Sequence, residues 1–196
     1  STKKSGPKAE PISASAIKNL SDKIYDTRKL GALEVEQQVR ELFRSAQHDK
    51  IVELLLYLKD KFIKSSSLSS RKGGLVAIAG VALGLGADVL MTTPPLFLPP
   101  GLHIILGHIV LPVKDCFIDN DSKVRYYACE SLFNIAKATR GHILQYFPDI
   151  FDELCREEPT AREIAHPQLA ADNDNGVRSA AEKLDILIKE IVTEGG

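Results

Sequence analysis

The chain has no tryptophan, and aromatic residues fill only 6% of its 196 positions. Sheet proteins lean on aromatic and β-branched side chains, whereas a chain fed by Leu, Ile, Val and Ala suits packed helices. Net charge is also missing: 25 Lys and Arg stand against 26 Asp and Glu. That balance gives no support to a general binder of nucleic acid or of anionic membranes, which are held by an excess of cations. Cysteine is scarce and odd in number. Cys116, Cys129 and Cys155 form no Cys-x-x-Cys pair and sit in apolar helical patterns, so free buried thiols in a reducing compartment are expected. The polar start, Ser1 to Pro11, carries no signal-peptide pattern and too little apolar surface to fold, so residues 1–11 are expected to be disordered. Thr193-Glu194-Gly195-Gly196 follows a helical pattern with no closing polar unit, so the chain is expected to continue in a longer protein.

Catalytic and ligand constellations are equally thin. His103 and His108 are five apart, off the spacing that puts two imidazoles on one helical face, and no His-Glu-x-x-His occurs, so no metal is expected. Asp119, Asp121 and Glu130 match positions one, three and twelve of a calcium loop. Lys123 and Val124, however, stand where a ligand and the turning glycine belong, and helix capping is the better account. The glycine-rich run from Arg71 to Gly84 lacks the Gly-Lys-Ser/Thr ending of a phosphate loop. Its uncharged part, 73–87, is short of the roughly 20 residues a membrane span needs. Ser131 and Cys129 have no His or Asp at helical reach and do not sit on a strained elbow. No enzyme activity and no cofactor are expected.

With 44% hydrophobic residues, the chain can bury a core, and its pattern says how. From Asp119 to Ile135 a polar turn, Asp119-Asn120-Asp121-Ser122, leads into Val124, Ala128, Ser131, Leu132 and Ile135 at helical spacing. Arg125 sits in the first turn, and Ile104 to Phe117 upstream is another apolar helical run. Helix, acidic turn, helix, with Val-Arg opening the second helix, is the pattern of a HEAT repeat. It recurs. Asp172 to Asn175 precede Val177-Arg178, Ala181, Leu184 and Ile188; Arg71-Lys72 precede Gly74, Ala77, Ile78 and Val81; Arg28-Lys29 precede Gly31, Val35 and Val39. Repeats of this kind run about 40–47 residues. Arg28 and Arg71 are 43 apart, and the two longer intervals each hold an insertion. The expected fold class is therefore all-α: a solenoid of about four helical hairpins over 12–46, 49–85, 102–140 and 142–193, with insertions at 86–101 and 155–171.

In chain order, Ser13 or Ser15 caps a first helix to about Tyr25, and Asp26-Thr27-Arg28-Lys29 turns into a second from Arg28 to Ala46. Asp49 caps the next, to about Lys64. The serine run 65–70 reads as a solvated turn with a helix cap, or alternatively as a phosphorylated loop. Small residues from Gly73 to Gly84 suggest a central helix pressed against neighbours on both sides. Two Pro-Pro pairs bar regular helix in 86–101, where Leu96-Phe97-Leu98 is either a partner- or membrane-touching loop or a segment folded back over the solenoid. Leu102 to Phe117 forms the next outer helix, kinked or restarted at Pro112. Repeat three closes at Arg140-Gly141, and repeat four opens with a helix from His142 to Leu154.

Three runs carry a closer likeness. Ser70 to Leu75, Asp121 to Ile135, and Leu184 to Glu194, with Asp22-Lys23-Ile24-Tyr25 and Arg28-Lys29 upstream, resemble the amino-terminal region of the vacuole-morphology scaffold (Vac-fourteen) family. The resemblance covers nearly the whole chain except the two insertions, and the Arg-Tyr-Tyr-Ala-Cys-Glu run is its most specific part. It implies a non-catalytic, all-helical scaffold that binds the lipid kinase making phosphatidylinositol 3,5-bisphosphate. The Sac-type phosphatase and self-assembly would belong to a carboxy-terminal part beyond this chain. It implies, too, residence on the cytosolic face of endosome and vacuole membranes, peripherally, without a transmembrane segment. The alternative is a generic HEAT adaptor of the transport or ubiquitin-ligase type. Second helices of such solenoids line a common recognition face. The candidate partner-binding residues are therefore Arg71, Lys72, Arg125, Tyr126, Tyr127 and Arg178, with Phe97 of the apolar loop as a second candidate.

Overall fold

The computed structural model describes residues 9–86, 100–146 and 167–194. Every regular element among them is helical, in an arrangement consistent with an all-α solenoid of HEAT-like hairpins. The α-helices are α1 (Ala14–Leu20), α2 (Tyr25–Arg44), α3 (His48–Leu58), α4 (Leu68–Gly84), α5 (Pro100–Asp115), α6 (Ser122–Thr139), α7 (Pro167–Ala170) and α8 (Asn175–Glu194). Consecutive helices pair as hairpins, α1 with α2, α3 with α4 and α5 with α6. The second helices then pack side by side, α2 on α4, α4 on α6 and α6 on α8, while α3 packs on α5 in the other layer.

Local chemistry explains most boundaries. Ser13 caps α1 by accepting the Ala16 N–H at 3.0 Å. The helix stops at Leu20, short of the expected Tyr25, and the turn falls at 21–24 instead of at Asp26. Asp22 accepts the Ile24 N–H at 2.7 Å, which commits the backbone to a turn and leaves Ile24 62% exposed instead of on the apolar stripe. Gln47, not Asp49, is the N-cap of α3, and Asp49 sits in the first turn where it meets the helix dipole. α3 ends in a π-helical turn, Lys59–Ile63. The extra residue in that turn points the consecutive Phe62 and Ile63 both inward. Ser67 caps α4 by accepting the Ser70 N–H.

α5 begins at Pro100 inside the expected insertion, because proline is tolerated in a first turn, and it runs through Pro112 without restarting. Gly101–Ile118 has the length and mean hydropathy, 1.5 over 18 residues, of a membrane span. Half of it is buried in the helix packing instead, with Leu102, Ile105, Leu106, Ile109, Val110 and Val113 all in the core. α6 closes at Thr139, at the expected Arg140-Gly141 pair, with Arg140 as its C-cap at a φ of 46°. The next stretch, Arg140–Tyr146, is a 3-10 helix and not the start of an α-helix; the remainder of the expected His142–Leu154 helix lies outside the described residues. At the amino-terminal end, residues 1–8 also lie outside them, but Pro11 is tied down by Gln38, which donates to its carbonyl at 2.6 Å, and Ile12 is buried.

α4 is the axis of the packing. Nearly every residue from Gly73 to Gly84 is buried, on all sides. One edge of small residues lets its backbone touch repeat one directly. A Cβ built on Gly73 would lie 1.8 Å from the Leu20 carbonyl oxygen, one on Gly84 would lie 2.6 Å from that of Glu36, and one on Gly80 would lie 2.8 Å from that of Ala32. These glycines cost helix propensity, about 1 kcal/mol each, and that cost is offset by the close approach of α1 and α2.

Candidate partner-binding face

The four second helices repeat one turn motif to the atom. The side chain of the first turn residue accepts the N–H two positions on: Asp22 from Ile24, Ser65 from Ser67, Asp119 from Asp121 and Asp172 from Asp174. Six positions after that residue comes the arginine, and its Nη1 folds back onto the turn carbonyls. Arg28 donates to Asp22 and Lys23, Arg71 to Ser65 and Ser66, Arg125 to Asp119 and Asn120, and Arg178 to Asp172. Carbonyls left open by the turn are thereby satisfied by a cation, which is stronger than a neutral bond.

The remaining arginine donors tie one repeat to the next. Arg71 meets Asp119 at 3.0 Å, and Arg125 grips Asp172 with two bonds of 2.6 and 2.9 Å. The Arg125 guanidinium holds the Asp172 carboxyl below its usual range. Asp174 is held down to about 2, first by the Ser122 hydroxyl and then by the Gly176 N–H. Repeat one departs from this pattern because the turn of repeat two begins with Ser65, which has no carboxylate. Arg28 Nη2 instead donates to the Tyr127 hydroxyl of repeat three at 2.6 Å, and Arg28 is 2% exposed. Tyr127 thus bridges from α6 past α4 to α2.

Around that bridge lies a continuous aromatic and cationic patch. Tyr127 meets Tyr25 and Tyr126 edge-on, at 5.9 and 5.8 Å between ring centres. Lys72 lies 5.7 Å over the Tyr127 ring, and Lys29 5.5 Å over that of Tyr25. Burial, together with the neighbouring Arg28, pulls the Lys72 ammonium below its ordinary range. Tyr25 donates to Glu130 at 3.4 Å, and burial with that carboxylate pushes its phenol up to about 12. Tyr126 and Tyr127 are both half-buried, so neither is core and neither stands free. Beyond Tyr126 a groove of about 330 Å³ opens between α6 and α8, lined by Tyr126, Glu130, Phe133, Asn134, Ser179 and Lys183 among others.

Arg71, Lys72, Arg125, Tyr126, Tyr127 and Arg178 therefore stand along one edge of the second-helix layer, but with different duties. Arg71 and Arg125 are occupied by the turns and the repeat-to-repeat pairs, while Lys72 and Tyr126 present surface. Phe97 lies outside the described residues. Lys29, which follows Arg28 as Lys72 follows Arg71, lies in the patch, and Tyr25, Glu130 and Phe133 join it unannounced by the sequence. The signal for Tyr25 was its place four residues, about one helical turn, before Lys29, which holds the register position of Lys72 and Tyr126 in later repeats. On the opposite layer, an apolar depression of about 580 Å³ between α3 and α5 is lined by His48, Val52, Leu56 and Ile104. Burial pushes the Cys116 and Cys129 thiols up to about 12, far from any activated nucleophile.

An array of helical hairpins joined by an arginine–aspartate ladder, with an aromatic groove between α6 and α8, defines a repeat protein of the HEAT-like, all-helical class. The sequence family described as the Vacuolar 14 Fab1-binding region matches residues 69–190. The chain is 43% identical over 183 residues to the Protein VAC14 homolog of Arabidopsis thaliana, covering 93% of this chain and 21% of that protein. It is 39% identical over 181 residues to Vacuole morphology and inheritance protein 14 of Saccharomyces cerevisiae, covering 92% and 18%. The Schizosaccharomyces pombe VAC14 homolog is 36% identical over 180 residues, covering 91% and 19%. No solved structure matches. The chain belongs to the Vac14 family, and it spans about a fifth of the length of the curated relatives it matches.

Proposed function

We propose that this chain is a non-catalytic scaffold segment that binds the Fab1-type lipid kinase, which makes phosphatidylinositol 3,5-bisphosphate. The observation that carries the reading is the match of 69–190, from α4 to α8, to a region described by its binding of Fab1. The partner docks along the second-helix edge around repeats two and three, where Lys72 and Tyr126 present surface over Tyr127, while Arg71 and Arg125 set the spacing of the helices and Arg178 closes its own turn. Residues 12–196 act as one solenoid unit, its insertions confined between Gly86 and Pro100 and between Tyr146 and Pro167, with Phe97 as the second docking candidate. In the longer protein, a Sac-type phosphatase and self-assembly use a part beyond this chain. The complex sits peripherally on the cytosolic face of endosome and vacuole membranes.

Capture of the purified kinase on the immobilised chain tests this reading, with the same preparation assayed for lipid-kinase, phosphatase and nucleotide-hydrolysis turnover. Saturable binding without turnover is expected. Turnover abolished by a single substitution in the chain, or no binding of kinase at micromolar concentration, overturns it.

A further inference from the structure

Among the described residues, neither Lys72 nor Lys29 holds a carboxylate; each is placed over a tyrosine ring instead. The arginines beside them are all spoken for, by turn carbonyls and by Asp119, Asp172 or Tyr127. The acids nearby also have inward duties. Asp121 accepts the Lys123 N–H as the cap of α6, Asp174 takes the Lys123 ammonium and the Ser122 hydroxyl, and Glu130 accepts from Tyr25. The centre of the patch therefore keeps two ammonium groups without an ion pair among the described residues, with Asp121 as the acid whose field reaches Lys72, although the chain as a whole is close to neutral. A half-buried ammonium with a second cation, Arg28, at its back and an aromatic face beneath it is poised for an anionic group. Burial and the neighbouring Arg28 hold its proton affinity below the ordinary range, and the Asp121 carboxylate, which makes no ion pair with it, offsets them only in part.

The groove beyond Tyr126 supplies the second half of an epitope. Two steps, 5.7 Å from the Lys72 ammonium to the Tyr127 ring and 5.8 Å from that ring to Tyr126, separate the ammonium from the groove mouth. An extended chain covers that span in about three or four residues. Phe133 and Tyr126 form its apolar side, and Asn134 and Ser179 can bond a backbone lying between them.

Taking the kinase-scaffold reading as given, we infer that this face receives an acidic segment of the partner. A carboxylate from that segment seats on Lys72 with Lys29 alongside, and an apolar side chain a few residues away enters the groove between α6 and α8. Tyr127 is the positioning residue of the site: its ring supports Lys72 and its hydroxyl is fixed by Arg28.

The test is binding of the intact chain to the kinase and to an array of overlapping kinase peptides, with Lys72→Glu, Lys72→Arg and Ser179→Trp as variants and circular dichroism as the fold control. Lys72→Glu is expected to weaken kinase binding at least about thirty-fold. Lys72→Arg should bind within a few-fold of the parent, and Ser179→Trp, which fills the groove, should weaken binding without changing its salt dependence. Captured peptides should carry Asp or Glu a few positions from a large apolar residue. If the kinase binds Lys72→Glu as tightly as the parent, the acidic-segment inference fails while the scaffold reading stands. Captured peptides dominated by Lys and Arg, or Lys72-dependent sedimentation with anionic vesicles in place of peptide capture, also overturn it. If neither kinase nor peptide binds the parent, both readings fall.

Discussion

Replacing Gly73 by alanine sets two effects of opposite sign against each other. Within a helix, Gly→Ala ordinarily stabilises by about 1 kcal/mol, because the backbone freedom of glycine is removed from the unfolded chain. At Gly73 the new methyl would stand 1.8 Å from the Leu20 carbonyl oxygen, well inside van der Waals contact. The obstacle is backbone, so no rotamer change relieves it. α4 must retreat from α1 by roughly 1 Å or more, forfeiting much of the dispersion energy along that contact. Leu20, fully buried at the end of α1, loses its fit at the same time. Overpacking of this kind costs about 3–4 kcal/mol, which outweighs the propensity gain and leaves a net loss of about 2–3 kcal/mol. For a chain of this size that is roughly 5–10 °C in melting temperature. Gly80→Ala and Gly84→Ala meet carbonyls at 2.8 and 2.6 Å and should lose less, about 1 kcal/mol net. Urea and thermal unfolding followed by helical circular dichroism measure the series. Gly73→Ala as stable as the parent, or more so, would refute the claim that backbone contact sets the composition of α4.

Removing Arg125 by alanine should cost about 2 kcal/mol, since it opens the Asp119 and Asn120 carbonyls and leaves Asp172, whose side chain is only 7% exposed, without its partner. A double-mutant cycle with Asp172→Asn should show coupling of about 1 kcal/mol or more, and additive losses would deny the ladder. Tyr127→Phe should lose about 1–2 kcal/mol by stripping an acceptor from the buried Arg28, with faster amide exchange at the start of α2 as its second sign. Asp172 and Asp174 are held below the ordinary carboxylate range of about 3.9, Asp174 at about 2, so the stability they contribute is complete above about pH 4 and is lost as pH falls towards 2. The urea midpoint should drop through that window, and Asp174→Asn should show a smaller drop than the parent.

The fold class and the repeat were legible in the sequence because both rest on local signals. Helical spacing of Val124, Ala128, Leu132 and Ile135, and a turn residue before each Arg, are read along one stretch of chain. The glycines of α4 announced close packing for the same reason: nothing else justifies so many in one helix. Boundaries were less legible where a single side chain decides them. Asp22 outbid the apolar stripe for Ile24, and a π-helical turn placed Phe62 and Ile63 together, against the spacing either residue suggests alone. The candidate face was half visible. Lys72 and Tyr126 follow from the arginine register, which counts positions. That Arg28 reaches Tyr127, 99 positions away, does not follow from counting. It depends on Ser65 standing where the other turns have an aspartate, on Gly73 letting α1 and α4 close up, and on a tyrosine long enough to cross the second repeat. Local patterns determine which helices form and which edge the arginines share. Only the stacking of three hairpins brings Tyr25, Lys72 and Tyr127 into one patch, because the contacts that make it join residues no periodicity connects.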